Sequence, residues 1–307
     1  MKKFIFNYYK KFSCIGSKCL HNCCIGWEIK IDKRAKNKYE ELQAKDKRFS
    51  IDNYKMGVFN LSKKMRCPYL EEDGLCYIIK NYGESYLCKT CKTHPRFITY
   101  FSGRTETGLG LSCEEACRVI LNFKPKMKLV LVKDDKNAKR LSLFERELIA
   151  FRNRALKIAQ DRKISIEERL DKLLTISKVD IRKRAYGEWV KIFNGLEKLK
   201  ISDYKGEKLE KYSDFLNLSK DFERQYEQIL SYLIYRHLSR AIDMLDLEVR
   251  LAFVVLAFKM INQMYCCEQE GINGLIEGCR IFSSEIEYND DNIFSLLNEL
   301  ESLISFI

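Results

Sequence analysis

Ten of the thirteen cysteines in this 307-residue chain fall between Cys14 and Cys117, and the other three are Cys266, Cys267 and Cys279. Such density constrains the fold strongly, because thiols at this spacing converge on a metal or pair as disulfides. They come in four groups, each punctuated by residues that turn the chain. Cys14, Cys19, Cys23 and Cys24 lie within eleven residues, with Gly16 and Gly26 at the bends. Cys67 and Cys76 flank the turn-forming pair Asp73-Gly74. Cys88 and Cys91 are separated by two residues and followed by His94-Pro95, a spacing that lets both sulfurs face one ion. Cys113 and Cys117 open a helix whose Ser112 and Glu115 read as a capping box, and Cys113 in its first turn would lie among unpaired amide groups that stabilise a thiolate.

The redox compartment decides between disulfides and metal. The opening stretch is broken by Asn7, Tyr8, Tyr9 and Lys10, so it lacks the apolar core of a signal peptide. The longest uncharged apolar run, 251–258, is far shorter than the roughly 20 residues of a membrane span. A cytoplasmic chain without a membrane partner is expected, and there the ten N-terminal cysteines read as metal ligands: Cys14, Cys19, Cys23, Cys24, Cys67, Cys76, Cys88, Cys91, Cys113 and Cys117. All-thiolate sites suit zinc and iron–sulfur clusters alike, so both remain open. His21 and His94 are equally ligands or supporting hydrogen-bond donors. His237, Cys266, Cys267 and Cys279 read as structural. No glycine-rich strand-to-helix turn of the dinucleotide-binding kind occurs, and the three-then-two cysteine spacing of radical enzymes is absent.

Three prolines and fourteen glycines against abundant Leu, Ile, Lys and Glu predict a mainly α fold: an irregular cysteine-rich metal-binding module followed by a helical bundle. Three parts are expected: a module over 1–122, a linker over 123–140 containing a short β-like stretch at 128–132, and a helical domain over 141–307. Apolar stripes at helical spacing start at Leu141 and at Ile166, the second behind a capping box of Ser165 and Glu168. A helix is expected over 213–243. Another over 247–265, apolar all round, should lie at the centre, and the last fifteen residues read as a terminal docking helix. The net charge of +12 is scattered among 43 acidic residues, and without a reader motif nucleic acid is not a favoured partner.

The motifs around Cys14-Ile15-Gly16, Cys23-Cys24-Ile25-Gly26-Trp27, Asp73-Gly74-Leu75-Cys76, Cys91 through Arg96, and Leu111-Ser112-Cys113 resemble the flagellin lysine N-methylases, whose N-terminal part is similar to zinc- or iron-chelating cysteine-cluster proteins. The resemblance covers roughly residues 8 to 120. Carried over by position, it makes Cys14, Cys19, Cys23, Cys24, Cys67, Cys76, Cys91 and Cys113 the recurrent cysteines, leaves Cys88 and Cys117 as additions, and puts Glu114 where the family commonly has proline. It implies a methyltransferase that uses a 4Fe-4S cluster to move a methyl group from S-adenosylmethionine to lysines of flagellin. Arg96 is the candidate partner for the donor's carboxylate, and Trp27, Tyr69, Tyr77, Tyr82 and Tyr86 are candidate pocket walls. The alternative is a non-catalytic iron–sulfur or zinc-binding scaffold or metal chaperone.

Overall fold

The structure is a computed structural model and describes residues 1–54, 56–266 and 271–304. It is mainly helical with one small sheet, ordered β2-β3-β1-β4. Strand β1 (Lys2–Phe6) runs parallel to β3 (Arg104–Leu109) and antiparallel to β4 (Leu129–Lys133), while β2 (Arg96–Tyr100) pairs antiparallel with β3. Parallel neighbours need a long crossover between them. Here the crossover leaves β1 at Phe6 and re-enters the sheet at Arg96, so it carries eight of the cysteines.

Inside the crossover, α1 (Lys33–Gln43), α2 (Tyr77–Tyr82) and α3 (Lys89–Thr93) surround a small aromatic core of Tyr39, Phe49, Tyr54, Phe59 and Tyr69, with Cys67 and Cys88 at its edge. The larger core is built by α4 (Glu114–Leu121), α5 (Leu143–Ala159), α6 (Ile166–Ser177), α7 (Tyr186–Gly195), α8 (Gly206–Leu209), α9 (Glu223–Leu233), α10 (Met244–Cys266), α11 (Gly271–Phe282) and α12 (Asp290–Glu301). Local sequence starts the outer helices: Ser142 with Glu145 and Ser165 with Glu168 form complete capping boxes. At the centre lies α10, nearly every residue of 251–264 buried, as its all-round apolar pattern requires.

The larger core also takes in Phe6, Tyr8, Phe97, Leu109, Leu111, Ile120 and Leu121, so sheet and α4 pack as part of the bundle. A buried ion pair joins them, Arg152 of α5 reaching both oxygens of Glu106 on β3 at 2.7 and 2.9 Å. The 123–140 stretch is tied down as well. Its strand β4 pairs with β1, and Gln228 donates to the carbonyls of Phe123 and Pro125 at 2.8 and 2.9 Å.

Two helix expectations are corrected. The helix expected over 213–243 begins only at Glu223, because the preceding stretch lies against α10, where Leu216 N donates to Gln263 Oε1 and Leu216 O accepts from Asn262 Nδ2. Those side chains satisfy the backbone that a helix would otherwise satisfy. It then passes into a π-helical turn, Ile234–Leu238, matched by a second, Ser283–Glu287, at the end of α11. The terminal helix starts earlier than expected, at Asp290, where Asn289 caps it by accepting from Asp291 and Asn292. No helix among the described residues is long and apolar enough to cross a membrane.

Candidate metal centre

Backbone turns and hydrogen bonds of ordinary length join the thiol-bearing loops. Gly16 and Gly26 take positive φ values of 56° and 82°, the left-handed turns expected of glycine. Asn22 joins two loops: its carbonyl oxygen accepts from Cys24 N at 2.9 Å and its amide donates to Gly74 O at 3.0 Å. Cys67 N donates to Cys24 O at 2.8 Å, and an isolated bridge pairs Leu70 with Cys76. Cys24, Cys67 and Cys76 are thereby held on neighbouring stretches of backbone.

Helix starts place Cys76 a second time and add two more cysteines. Cys76, Cys88 and Cys113 are the N-cap residues of α2, α3 and α4. The capping box expected from Ser112 and Glu115 is absent. Cys113 itself occupies the cap, and Glu115 pairs with Arg118 at 2.5 Å. Amide groups of the first turn approach these thiols, from Ile78 and Ile79 at Cys76 and from Glu115 and Ala116 at Cys113. Such donors stabilise a thiolate or a cluster sulfide.

The thiols form two adjoining neighbourhoods. Cys24 contacts Cys23 and Cys67, Cys88 is hydrogen-bonded to Cys91, and Cys76 lies within electrostatic reach of Cys24 and Cys88. Cys113 feels Cys23 and Cys14, and Cys19 feels Cys113 and Cys23. Crowded in this way, most are pushed toward the protonated form. Burial, followed by the Glu114 charge, raises Cys19 to about 12, and burial raises Cys113 to about 11 against its amide donors. Cys88 is the exception, lowered by the hydrogen bond from Cys91.

Cys117 borders this group, within electrostatic reach of Cys113. It lies one turn beyond Cys113, fully buried in the larger core beside Cys279, and its thiol donates to Leu111 O at 2.8 Å. Cys266 ends α10, and Cys267 lies outside the described residues. His94 is held neutral, its pKa lowered to about 4 by burial and then by the Arg96 charge. Arg96 donates through Nε to Tyr9 OH at 2.9 Å and stacks over the Tyr9 and Phe12 rings. Among the pocket-wall candidates, Tyr69 is buried in the small core, Tyr77 and Tyr82 both donate to Asp46 at 2.8 and 2.7 Å, Tyr86 packs on Tyr82, and Trp27 packs edge-on against Tyr288 at 5.6 Å.

The first cysteine loop is latched to the helices by groups that its own motif does not announce. Leu20 N and His21 N both donate to Glu114 Oε2, at 3.0 and 3.1 Å. His21 Nε2 lies 3.1 Å from Glu277, which with Asp203 grips the Arg280 guanidinium at 2.5 Å. Ligand atoms of His21, Asp203 and Glu277 lie within 4.8 Å of one another, but Arg280 is already the cation there. Among the described residues no three thiols approach that closely. A mononuclear tetrahedral zinc–thiolate site needs sulfurs about 3.8 Å apart. The thiols are free and soft, a donor set that suits zinc and iron–sulfur clusters alike.

Fold and site define a class: a mainly helical protein with a small mixed sheet that gathers free thiols on the crossover between two of its strands. Over 134 residues, 40% of this chain and 33% of the relative, it is 34% identical to a lysine-N-methylase of Salmonella typhimurium. Over 130 residues, 38% of this chain, it is 35% identical to the flagellar biosynthetic protein FliU of Salmonella muenchen, covering 76% of that protein, and to a lysine-N-methylase of Salmonella choleraesuis, covering 32% of it. The match thus spans about a third of the length of the two lysine-N-methylases. No family model and no solved structure matches the chain. The chain belongs to the flagellin lysine N-methylase family.

Proposed function

We propose that the chain is a protein-lysine N-methylase that moves a methyl group from S-adenosylmethionine to lysine side chains of flagellin, with an iron–sulfur cluster on its gathered thiols. The observation that carries this reading is the thiol constellation itself, present in a chain whose relatives bear the name lysine-N-methylase. Cys14, Cys19, Cys23, Cys24, Cys67, Cys76, Cys88, Cys91 and Cys113 would hold the cluster. When bound, such a cluster supplies Lewis-acidic, redox-active iron.

Methyl transfer asks for a neutral amine. A lysine ammonium, with an ordinary pKa of about 10.4, has no lone pair and must first lose its proton. The freed amine forms the new N–CH3 bond as the S–CH3 bond breaks. Its electron pair stays on sulfur, S-adenosylhomocysteine leaves, and the methylated ammonium gives up a proton if it is to react again. The protein's part is to bring the two substrates together and exclude water around the amine.

The test is methyl transfer from labelled S-adenosylmethionine to purified flagellin by anaerobically prepared full-length protein, with the modified lysines mapped by mass spectrometry. Iron bound without any transfer would leave the scaffold or metal-chaperone reading in its place.

A further inference from the structure

An open cleft of about 590 Å³ lies between the outer edge of β2 and the two π-helical turns, and its walls include Ile98, Tyr100, Arg236, Glu287, Tyr288 and Asp290. That volume is within the range of small-molecule sites. The turns that build it are joined by His237 Nε2 and Glu287 Oε1 at 2.7 Å, and π-helical turns of this kind recur at functional sites.

Arg236 is the unusual group. Its guanidinium lies 4.5 Å from the Phe97 ring centre and 5.6 Å from that of Tyr288, and its Nε is buried without a partner. Among the described residues no carboxylate comes within ion-pair distance of it, although Glu287 and Asp290 lie within electrostatic reach, and Arg240 on the same wall is paired with Asp290. A cation held between two rings at a cleft wall, with no carboxylate in direct contact, is suited to a carboxylate arriving from solution. On the same walls Glu287 is buried and bonded to both His237 and Tyr232, whereas the exposed Asp290, paired with Arg240 at 2.8 Å, leaves a carboxylate oxygen for a cationic group. Tyr100, 68% exposed, offers an aromatic face at the mouth. An arginine with no carboxylate in contact, one exposed carboxylate nearby and exposed rings match a zwitterionic amino acid that carries a second cationic or aromatic group.

We propose that this cleft binds the methyl donor, with Arg236 taking the carboxylate of its methionine end. The assignment rests on the methylase reading above and moves the donor's carboxylate from Arg96 to Arg236. The cleft adjoins the thiol side through Tyr288, whose ring packs against Trp27 and whose hydroxyl abuts Gly110, where an added Cβ would lie 2.3 Å from it.

Calorimetric titration of the full chain with S-adenosylmethionine and with S-adenosylhomocysteine tests it. Arg236→Gln should weaken binding about tenfold or more, as loss of a charge-assisted hydrogen bond does. Arg236→Lys should recover part of the loss, and Arg96→Gln should stay within about twofold of the wild type. Ile98→Glu, at an exposed rim position, should alter binding, because the added anion acts on a ligand that carries a carboxylate, an ammonium and a sulfonium, and it keeps the test alive if Arg236→Gln fails to fold. Wild-type binding that neither Arg236→Gln nor Ile98→Glu alters, or that only Arg96→Gln removes, would overturn this assignment and leave the methylase reading standing. No binding of the donor by the wild type would take both away.

Discussion

At the scale of single residues, two carboxylates hold the first cysteine loop to the helices. Glu114 accepts the N–H groups of Leu20 and His21 and is almost fully buried. Glu114→Ala would leave both donors without their acceptor, at a cost of about 2 kcal/mol. Urea denaturation should show that loss, with faster hydrogen exchange at Leu20 and His21. Glu277 gives a pH signature. Burial draws its carboxyl upward, but hydrogen bonds from Arg280 and His21 outweigh this and hold it at about 2, below the ordinary 4.5. A depressed carboxyl stabilises the folded state above the unfolded value and stops doing so as pH falls through the folded one. The stability difference between wild type and Glu277→Gln should therefore be full above pH 4.5, at most about 3 kcal/mol, and shrink toward pH 2. A difference that stays flat with pH would mean that the latch is not ionic.

At the scale of elements, α4 gives two cysteines four residues apart different surroundings. Cys113 caps the helix and faces the other thiols, while Cys117 points into the larger core beside Cys279. Cys117→Ala should cost about 1 kcal/mol as a small buried group is lost, with the metal content of the purified protein unchanged. Cys88→Ser and Cys113→Ser should lower that content. Metal analysis alongside thermal melting separates the two effects, and loss of metal from a folded Cys117→Ala variant would add Cys117 to the ligands.

For the whole molecule, two cores of unequal independence set the order of unfolding. The small core within the crossover has one wall of cysteines, so removal of a bound metal should open it first. Hydrogen exchange after chelation should rise in α1 and α2 before it rises in α10. The larger core offers no comparable break. A fragment of residues 1–140 would expose Phe6, Tyr8, Phe97, Leu111, Ile120 and Leu121, all of which pack with the bundle, and should be insoluble or lack fixed tertiary structure. A soluble fragment with a cooperative melt would show that sheet and bundle fold apart.

Much of this was legible in residue order, and the reason is range. The Ser165–Glu168 capping box, the buried run of α10 and the glycine turns depend on groups near one another in the chain, so local sequence expresses them directly, whereas the box expected from Ser112 and Glu115 gave way to Cys113 at the cap. The parallel pairing of β1 with β3, which turns the cysteine segment into a crossover, depends on strands about a hundred residues apart and on the core beneath them. The caps at Cys76 and Cys88, each before a helix of six residues or fewer, have no periodicity to reveal them. Glu114, Glu277, Arg236 and Glu287 looked like ordinary charges in the chain. Their burial and partners come from distant elements brought together by packing, and a charge acquires a role only when its solvent is replaced by such neighbours.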